Sequence, residues 1–384
     1  MRRFITLVCL MTITAQVFAA TVEEERIGTA ETAMPAVLAQ ASALSAAWVA
    51  KLQECGSGSQ LTAVAAEAGS DLWQAARSSV QQQHTFEDRS LYWARLILTR
   101  LIRTGNFRFD PTPEQRLLAI EKLEDHSRGR ADISYDSQSD FRILLTGFDP
   151  FLLDQNIQQT NPSGVIALWL DGRQLTSAGR TATINTVTFP VRYSDFDEGE
   201  VERLLIPVYR DQQADLVVTV SMGRAMFDLE RFPGRRRSAS APDNLNIHAG
   251  GSETNPVIGL LNGQPMAGPE FVEFSLPAAA MQQIDGTYDI HDNHQVTTLE
   301  KTSEPDSLAE LQDQIAVRGS GGGYLSNEIS YRSIRLRNEL GSSIPTGHIH
   351  TPRVTSHDPA QLQDIAAQVT RMLEAAMKTL SEVH

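Results

Sequence analysis

From residue 21 to about residue 126, apolar residues recur every three or four positions, the spacing of helices that bury one stripe. Val37, Leu38, Ala41, Leu44, Trp48 and Leu52 make one such run, which stops at Cys55-Gly56-Ser57-Gly58. A further helix is expected after Ser70, with Leu72 and Trp73 near its start. Thr85 is read as the cap of a stronger helix from Phe86 to Thr104, with Leu91, Leu98, Leu101 and Ile102 on one face and Gly105 at its end. Thr112-Pro113-Glu114-Gln115 is a capping box with proline at the first helical position, and Leu117, Leu118, Ile120 and Leu123 follow it. No chemistry is visible in this half. It reads as a helical domain, 21–126, that packs or binds a partner.

Residues 127–140 are polar and poor in large aliphatic side chains, which places a linker there. The pattern then turns to alternating strands and helices over 141–384. Strands are expected at 141–146, 181–189, 215–222, 315–318 and 345–350. Helices are expected from Asn161-Pro162-Ser163 to Leu170, from Ser194-Asp195 through Leu205, over 325–340, and from Asp358-Pro359 through Leu380. Near-continuous apolar strands alternating with helices predict a three-layer α/β/α domain with a mostly parallel sheet, preceded by the all-helical N-terminal domain.

The opening residues 1–20 carry Arg2 and Arg3, an apolar run from Phe4 to Ala15, and Val17-Phe18-Ala19, the form of an export signal. The chain is therefore expected to be exported, periplasmic or secreted. No segment reaches the roughly 18 consecutive apolar residues that a membrane span needs. Cys9 would leave with the signal, so Cys55 has no partner for an internal disulfide. A net charge of −14 argues against nucleic acid as a partner, because phosphate binding needs a positive face.

Candidate chemistry centres on Val317-Arg318-Gly319-Ser320-Gly321-Gly322-Gly323-Tyr324-Leu325-Ser326-Asn327. An apolar run that ends in clustered glycines and enters a helix puts Ser326 beside free backbone amides, where a hydroxyl can act as an acyl-transfer nucleophile. His350, at the end of the strand that follows, is the matching base. The competing reading is that Ser326 only caps a helix. The glycines fit neither a dinucleotide nor a P-loop spacing, since Tyr324 stands where a last glycine would be and no Gly-Lys-Ser follows. His348 and His350 share one side of a strand, yet no metal and no cofactor is expected. Arg235-Arg236-Arg237 reads as a solvated basic loop.

In order along the chain stand Leu145-Thr146-Gly147-Phe148-Asp149-Pro150-Phe151, Asn161-Pro162-Ser163, and the strand and turn from Val218 through Gly223 to Glu230-Arg231. After them come Asp243-Asn244, then Gly322-Gly323-Tyr324-Leu325-Ser326-Asn327 and His348-Ile349-His350-Thr351-Pro352. This series resembles pyroglutamyl peptidase type I, the pyrrolidone-carboxylate peptidases, over about 141–384. The resemblance implies removal of an N-terminal pyroglutamyl group from peptides. It implies Ser326, His350 and Glu230 as catalytic residues, with Ser326 where the family has cysteine. It also implies that Phe148 and Phe151 sandwich the pyrrolidone ring, with Tyr324 beside them. Residues near 284–307 read as an inserted excursion near the site. The turn ahead of Glu230 is shortened, and His348 replaces an aromatic residue. Family members are often oligomeric, which leaves a homo-oligomer open here. An inactive descendant that binds a peptide or partner remains the alternative.

Overall fold

The computed structural model describes residues 19–135 and 138–381. The export signal falls on residues that, but for 19 and 20, lie outside the described ones. The N-terminal half is helical, as its periodicity predicts: α1 (Val22–Glu25), α2 (Ile27–Ala33), α3 (Pro35–Gln53), α4 (Gly58–Gln83), α5 (Arg89–Thr104) and α6 (Pro113–Ser127). The capping box at Thr112 is present, with Thr112 and Gln115 bonded reciprocally. Two starts differ from expectation. Helix α4 begins at Gly58 because Ser57 caps it, accepting from the Gln60 amide, while Ser70 sits in mid-helix bonded to His126. Helix α5 begins at Arg89 because His84 and Phe86 hold positive φ angles of 53° and 48°, which a right-handed helix excludes. The Thr85 hydroxyl accordingly meets Ser79 and caps nothing.

The main sheet contains β1 (Phe141–Phe148), β2 (Gln174–Ser177), β3 (Arg180–Phe189), β4 (Leu216–Met222), β5 (Phe227–Glu230), β6 (Ile290–Asn293) and, after three strands outside it, β10 (Thr346–Thr351). Its order is β6-β5-β10-β4-β1-β3-β2. Neighbours β3, β1, β4 and β10 run parallel, while β2 and the β5–β10 pairing are antiparallel. Strands β7 (Val296–Thr298), β8 (Thr302–Ser303) and β9 (Ala316–Arg318) form a separate antiparallel sheet. The 315–318 strand thus exists but leaves the main sheet, because its partner is the inserted excursion. Helices α7 (Pro162–Leu170), α8 (Glu200–Arg210), α9 (Leu325–Glu339) and α10 (Pro359–Ser381) cover the two faces. Leu204 of α8 and Ile329 of α9 bury against Val187 and Val217 on one face. Val165 of α7 and Leu373 of α10 bury on the other, in a core that also takes in Leu72, Trp73 and Leu98 of the N-terminal helices. The helical half therefore adds to the sheet's own core. The helix expected over 194–205 is broken at Gly199, whose φ is 80°.

Polar contacts bind the halves further. Residues 127–140 do not hang free: the Arg128 carbonyl accepts from the Thr188 amide, and Ser134 exchanges bonds with the Asn185 amide group. Asp149, just past β1, is buried between Arg95 of α5 at 3.0 Å and Arg128 at 2.7 Å. Arg128 also holds Glu124 at 2.6 Å. Asp88, at the start of α5, accepts from the Thr160 hydroxyl and the Asn161 amide. The expectation of a solvated loop at Arg235-Arg236-Arg237 is corrected. Arg235 and Arg236 pair with Glu270, and buried Arg237 pairs with Glu328 of α9 and with Asp197. Three adjacent cations read as a surface run only while their distant carboxylates are unseen.

Two stability measurements follow from these contacts. Replacing Arg128 by Met leaves the buried carboxylates of Asp149 and Glu124 under-compensated, and the unfolding free energy at pH 7 falls by about 3–5 kcal/mol. A loss under ~1 kcal/mol in denaturant titration contradicts that role. His348 lies in the interior of β10, with Nδ1 2.7 Å from Thr219 Oγ1 and Nε2 2.7 Å from Ser221 Oγ. Burial holds its pKa well below the ordinary 6.5, and neighbouring His350 lowers it further. As pH falls through 6.5 the unfolded chain takes this proton first. The stability supplied by the neutral ring is thus complete above that pH and is lost below it, by up to ~1.4 kcal/mol per pH unit. His348→Gln removes this component, and acid-limb slopes equal to those of the parent contradict the assignment.

Candidate active site

The side chains singled out in the sequence line one cavity of about 380 Å³ at the carboxyl ends of β1 and β4: Phe148, Phe151, Glu230, Tyr324, Ser326 and His350. Each arrives there for a local reason. At the end of β1, the Phe148 amide donates to Ser163 Oγ, and Asn161 caps α7 by accepting from the Ser163 amide. A Cβ at Gly147 would lie 2.2 Å from the Ser163 carbonyl oxygen. The Thr-Gly-Phe and Asn-Pro-Ser motifs are therefore one device, a strand end pressed onto the first turn of a helix. Asn161 itself lines the cavity, and its side-chain amide holds the Asp149 carbonyl at 2.9 Å. The buried Asn244 side chain holds the next carbonyl, that of Pro150, also at 2.9 Å.

Phe148 is 3% exposed and lies parallel to Phe196 in an offset arrangement, the ring centres 6.2 Å apart and the planes 9° from parallel. It thus belongs to the core as well as to the cavity wall. Phe151 is half-buried and stacks on Tyr324 at 6.4 Å. The Tyr324 hydroxyl donates to the Pro242 carbonyl at 2.8 Å, which fixes the ring's long axis. The cavity therefore has an apolar, aromatic end of restricted shape.

Ser326 lies in the first turn of α9, whose N-cap residue is Tyr324. It is thus inside the helix and does not fill the capping position. Its Oγ donates to the Gly321 carbonyl at 3.2 Å, and no hydrogen bond joins it to His350. The amides of Leu325 and Ser326, both on the cavity wall, belong to the helical turn that has no internal acceptor. Beside Ser326, buried Asn327 grips the backbone of Gly234 in both directions, accepting from its amide at 3.0 Å and donating to its carbonyl at 2.7 Å. The glycine-rich approach to α9 is locked onto the loop after Glu230 in this way.

His350 Nδ1 is 2.5 Å from Glu230 Oε1. The second carboxylate oxygen accepts from Asn293 Nδ2 at 2.9 Å. A carboxylate opposite Nδ1 fixes the proton on that nitrogen and leaves Nε2 with its lone pair. Burial raises the Glu230 carboxyl above its ordinary value; His350 pulls the other way, and nearby Asp228 adds to the rise. The imidazole lies directly against Gly223, where an added Cβ would approach His350 Cβ to 2.6 Å. The shortened turn before Glu230 is thus the wall that seats the ring.

Three lining side chains were missed in the sequence. Asn293, on β6, and Gln295 with Thr297 belong to the inserted excursion, which reaches the cavity as part of two strands. Nothing in a polar insertion marks which of its amides will meet Glu230. None of residues 21–126 lines the cavity. The N-terminal helices reach it only indirectly, by fixing Asp149 and Asn161. Among the described residues no cluster of three or more His, Cys, Asp or Glu side chains is placed to hold a metal. Among the described residues no helix is long and apolar enough to cross a membrane.

Residues 8–124 match the model of the PA0049 N-terminal domain, and residues 142–269 with 283–355 match that of the PA0049 C-terminal domain. A protein of Pseudomonas aeruginosa, called uncharacterized protein PA0049, is 28% identical, the alignment covering 76% of this chain and 69% of that one. Among solved structures, a mutant pyrrolidone carboxyl peptidase from Pyrococcus furiosus is 20% identical and covers 62% of this chain and 99% of its own, with a TM-score of 0.43. The pyrrolidone carboxyl peptidase of Thermococcus litoralis is 16% identical, covers 64% and 96%, and has a TM-score of 0.43. The match of family models across both halves means that this chain belongs to the PA0049 family.

Proposed function

We propose that the chain is an exported hydrolase that removes an N-terminal pyroglutamyl group from peptides by acyl transfer through Ser326. The observation that carries the reading is the Glu230 carboxylate bonded to His350 Nδ1 in the cavity that Ser326 shares. The motif series in this chain supplies the substrate class, and the flat aromatic end formed by Phe148, Phe151 and Tyr324 suits a pyrrolidone ring.

The chemistry runs as in any alcohol–imidazole–carboxylate set. His350 Nε2 takes the Ser326 hydroxyl proton as Oγ attacks the pyroglutamyl carbonyl carbon. The amides of the first turn of α9 face the developing oxyanion. The tetrahedral carbon then expels the peptide's amine, the C–N bond breaking while His350 returns the proton to nitrogen. Water, deprotonated by the same imidazole, attacks the acyl ester and releases pyroglutamate and free Ser326. Glu230 keeps the ring in its tautomer and offsets the charge it gains. Asn293 acts as a positioning residue by holding the second oxygen of Glu230.

One observation favours the inactive alternative. The Ser326 hydroxyl is spent on the Gly321 carbonyl, so it must turn before it can reach His350. A serine stays neutral until its proton leaves in the transition state, unlike a cysteine that pairs with histidine as thiolate.

The purified chain is expected to hydrolyse a pyroglutamyl-amide reporter, and Ser326→Ala to lower kcat/KM by at least ~10³-fold. Turnover unchanged by that substitution removes Ser326 from the mechanism. No turnover in the parent, with turnover appearing in Ser326→Cys, establishes the binding-only reading instead. For export, the mature protein is expected to begin near residue 21 when its N-terminus is read by mass spectrometry after expression in a Gram-negative host. Retention of Met1 in the recovered protein contradicts it.

A further inference from the structure

The chain carries a net charge of −14, yet its cavity is lined by Arg224, Arg318 and Arg353 against a single carboxylate, Glu230, which is engaged by His350. Low-dielectric walls and charge of one sign focus the field of such a cleft on ligands of the other sign. All three arginines are exposed and retain unused donors. Asp228 takes Nε and Nη2 of Arg224 at 3.0 Å and 2.8 Å, leaving Nη1. Arg318 meets only the exposed Glu253 through Nη2, an attachment of small worth in water. Arg353 spends Nε on the Gly223 carbonyl at 3.2 Å and has no carboxylate partner among the described residues, so both its terminal amino groups are unengaged.

Their position relative to the reacting groups sets what they would recognise. Arg224 follows Gly223, the residue that seats the His350 ring, and the Arg353 amide donates to the Arg224 carbonyl. The backbones of both therefore lie beside His350, whereas the aromatic end is built on the residues after β1 and the approach to α9. The leaving amine departs on the imidazole side, because that ring must hand it a proton. We infer that Arg353, with Arg224 and Arg318, binds a carboxylate on the leaving-group side of the scissile amide, so that the preferred substrates are pyroglutamyl dipeptides with a free carboxyl terminus. This rests on the hydrolase reading for the place of the scissile bond. A planar guanidinium with two free amino groups matches a carboxylate in a way that the neutral amide of a longer chain does not.

The test uses the full mature chain carrying Ser326→Ala and measures binding of pyroglutamyl-alanine and of its C-terminal amide by calorimetry. The free acid is expected to bind at least ~10-fold more tightly, the worth of one charge-assisted contact. Adding Arg353→Ala is expected to bring the ratio below ~3-fold, and Arg353→Lys to keep part of it. A third ligand, the α-amide of pyroglutamyl-glutamate, whose one carboxylate is on the side chain, separates a terminal from a side-chain carboxylate; binding as tight as the free acid transfers the assignment to acidic side chains and overturns the dipeptide preference. Equal binding of acid and amide, binding of neither, or a ratio indifferent to Arg353 overturns the proposal. Turnover of the neutral reporter by the parent chain is scored separately, so loss of the hydrolase reading and loss of the carboxylate site are distinguishable.

Discussion

A buried carboxylate held against an imidazole is the constraint around which this site is arranged. Glu230 is 1% exposed and has only two kinds of partner for its oxygens, His350 on one and Asn293 on the other. An ionised carboxyl in that setting costs several kcal/mol unless it is hydrogen-bonded and faces a group able to carry positive charge. Strand β5 must therefore deliver Glu230 opposite β10, and it does so antiparallel, with Leu229 level with Ile349 and Asp228 level with His350. Gly223 must lack a side chain for the ring to lie where the carboxylate needs it. The excursion after residue 283 must return far enough to bring Asn293 alongside.

The N-terminal helices enter the same logic from a distance. They line no part of the cavity, but Arg95 of α5, with Arg128 just past α6, neutralises Asp149, and Asp88 receives the Asn161 amide. Those are the two ends of the loop that carries Phe151. Fixing a binding loop from outside lowers the ordering cost that a ligand would otherwise meet. A continuous apolar core from Ile27 to Met377 makes the helices and the sheet one folding unit in packing terms, even though the sequence periodicity changes sharply at about residue 127. This gives the helical half a physical role beyond partner binding, one exerted on the rigidity of the aromatic end.

Much of this was legible in the sequence, and what was not shares a cause. Strands β1, β3, β4 and β10 and helices α7, α9 and α10 stand within two residues of the apolar runs that announce them, because a buried parallel strand has no polar face to blur its pattern. Ser326 and His350 stood out because a glycine cluster and a strand end mark places where backbone turns into site, Glu230 and Tyr324 were pointed to by the resemblance of the motif series, and all four line one cavity. The errors lie where a distant partner decides. The Arg235–Arg237 run is neutralised by Glu270, Asp197 and Glu328, and Asn293 reaches Glu230 across 63 positions. Phe148 and Phe151 both read as ring partners, yet the first is buried in the core beside Phe196 while the second is half-buried. No local pattern encodes any of these pairings.

The central claim is that Ser326 becomes acylated. Its most direct measurement is acid-quenched mass spectrometry of the purified chain mixed with an activated pyroglutamyl ester. A transient gain of one pyroglutamyl group is expected on the peptide that contains Ser326, lost on longer incubation as water resolves the ester. A pyroglutamyl adduct confined to another residue, or released product with no adduct on Ser326 at any quench time when deacylation is slowed, would contradict it.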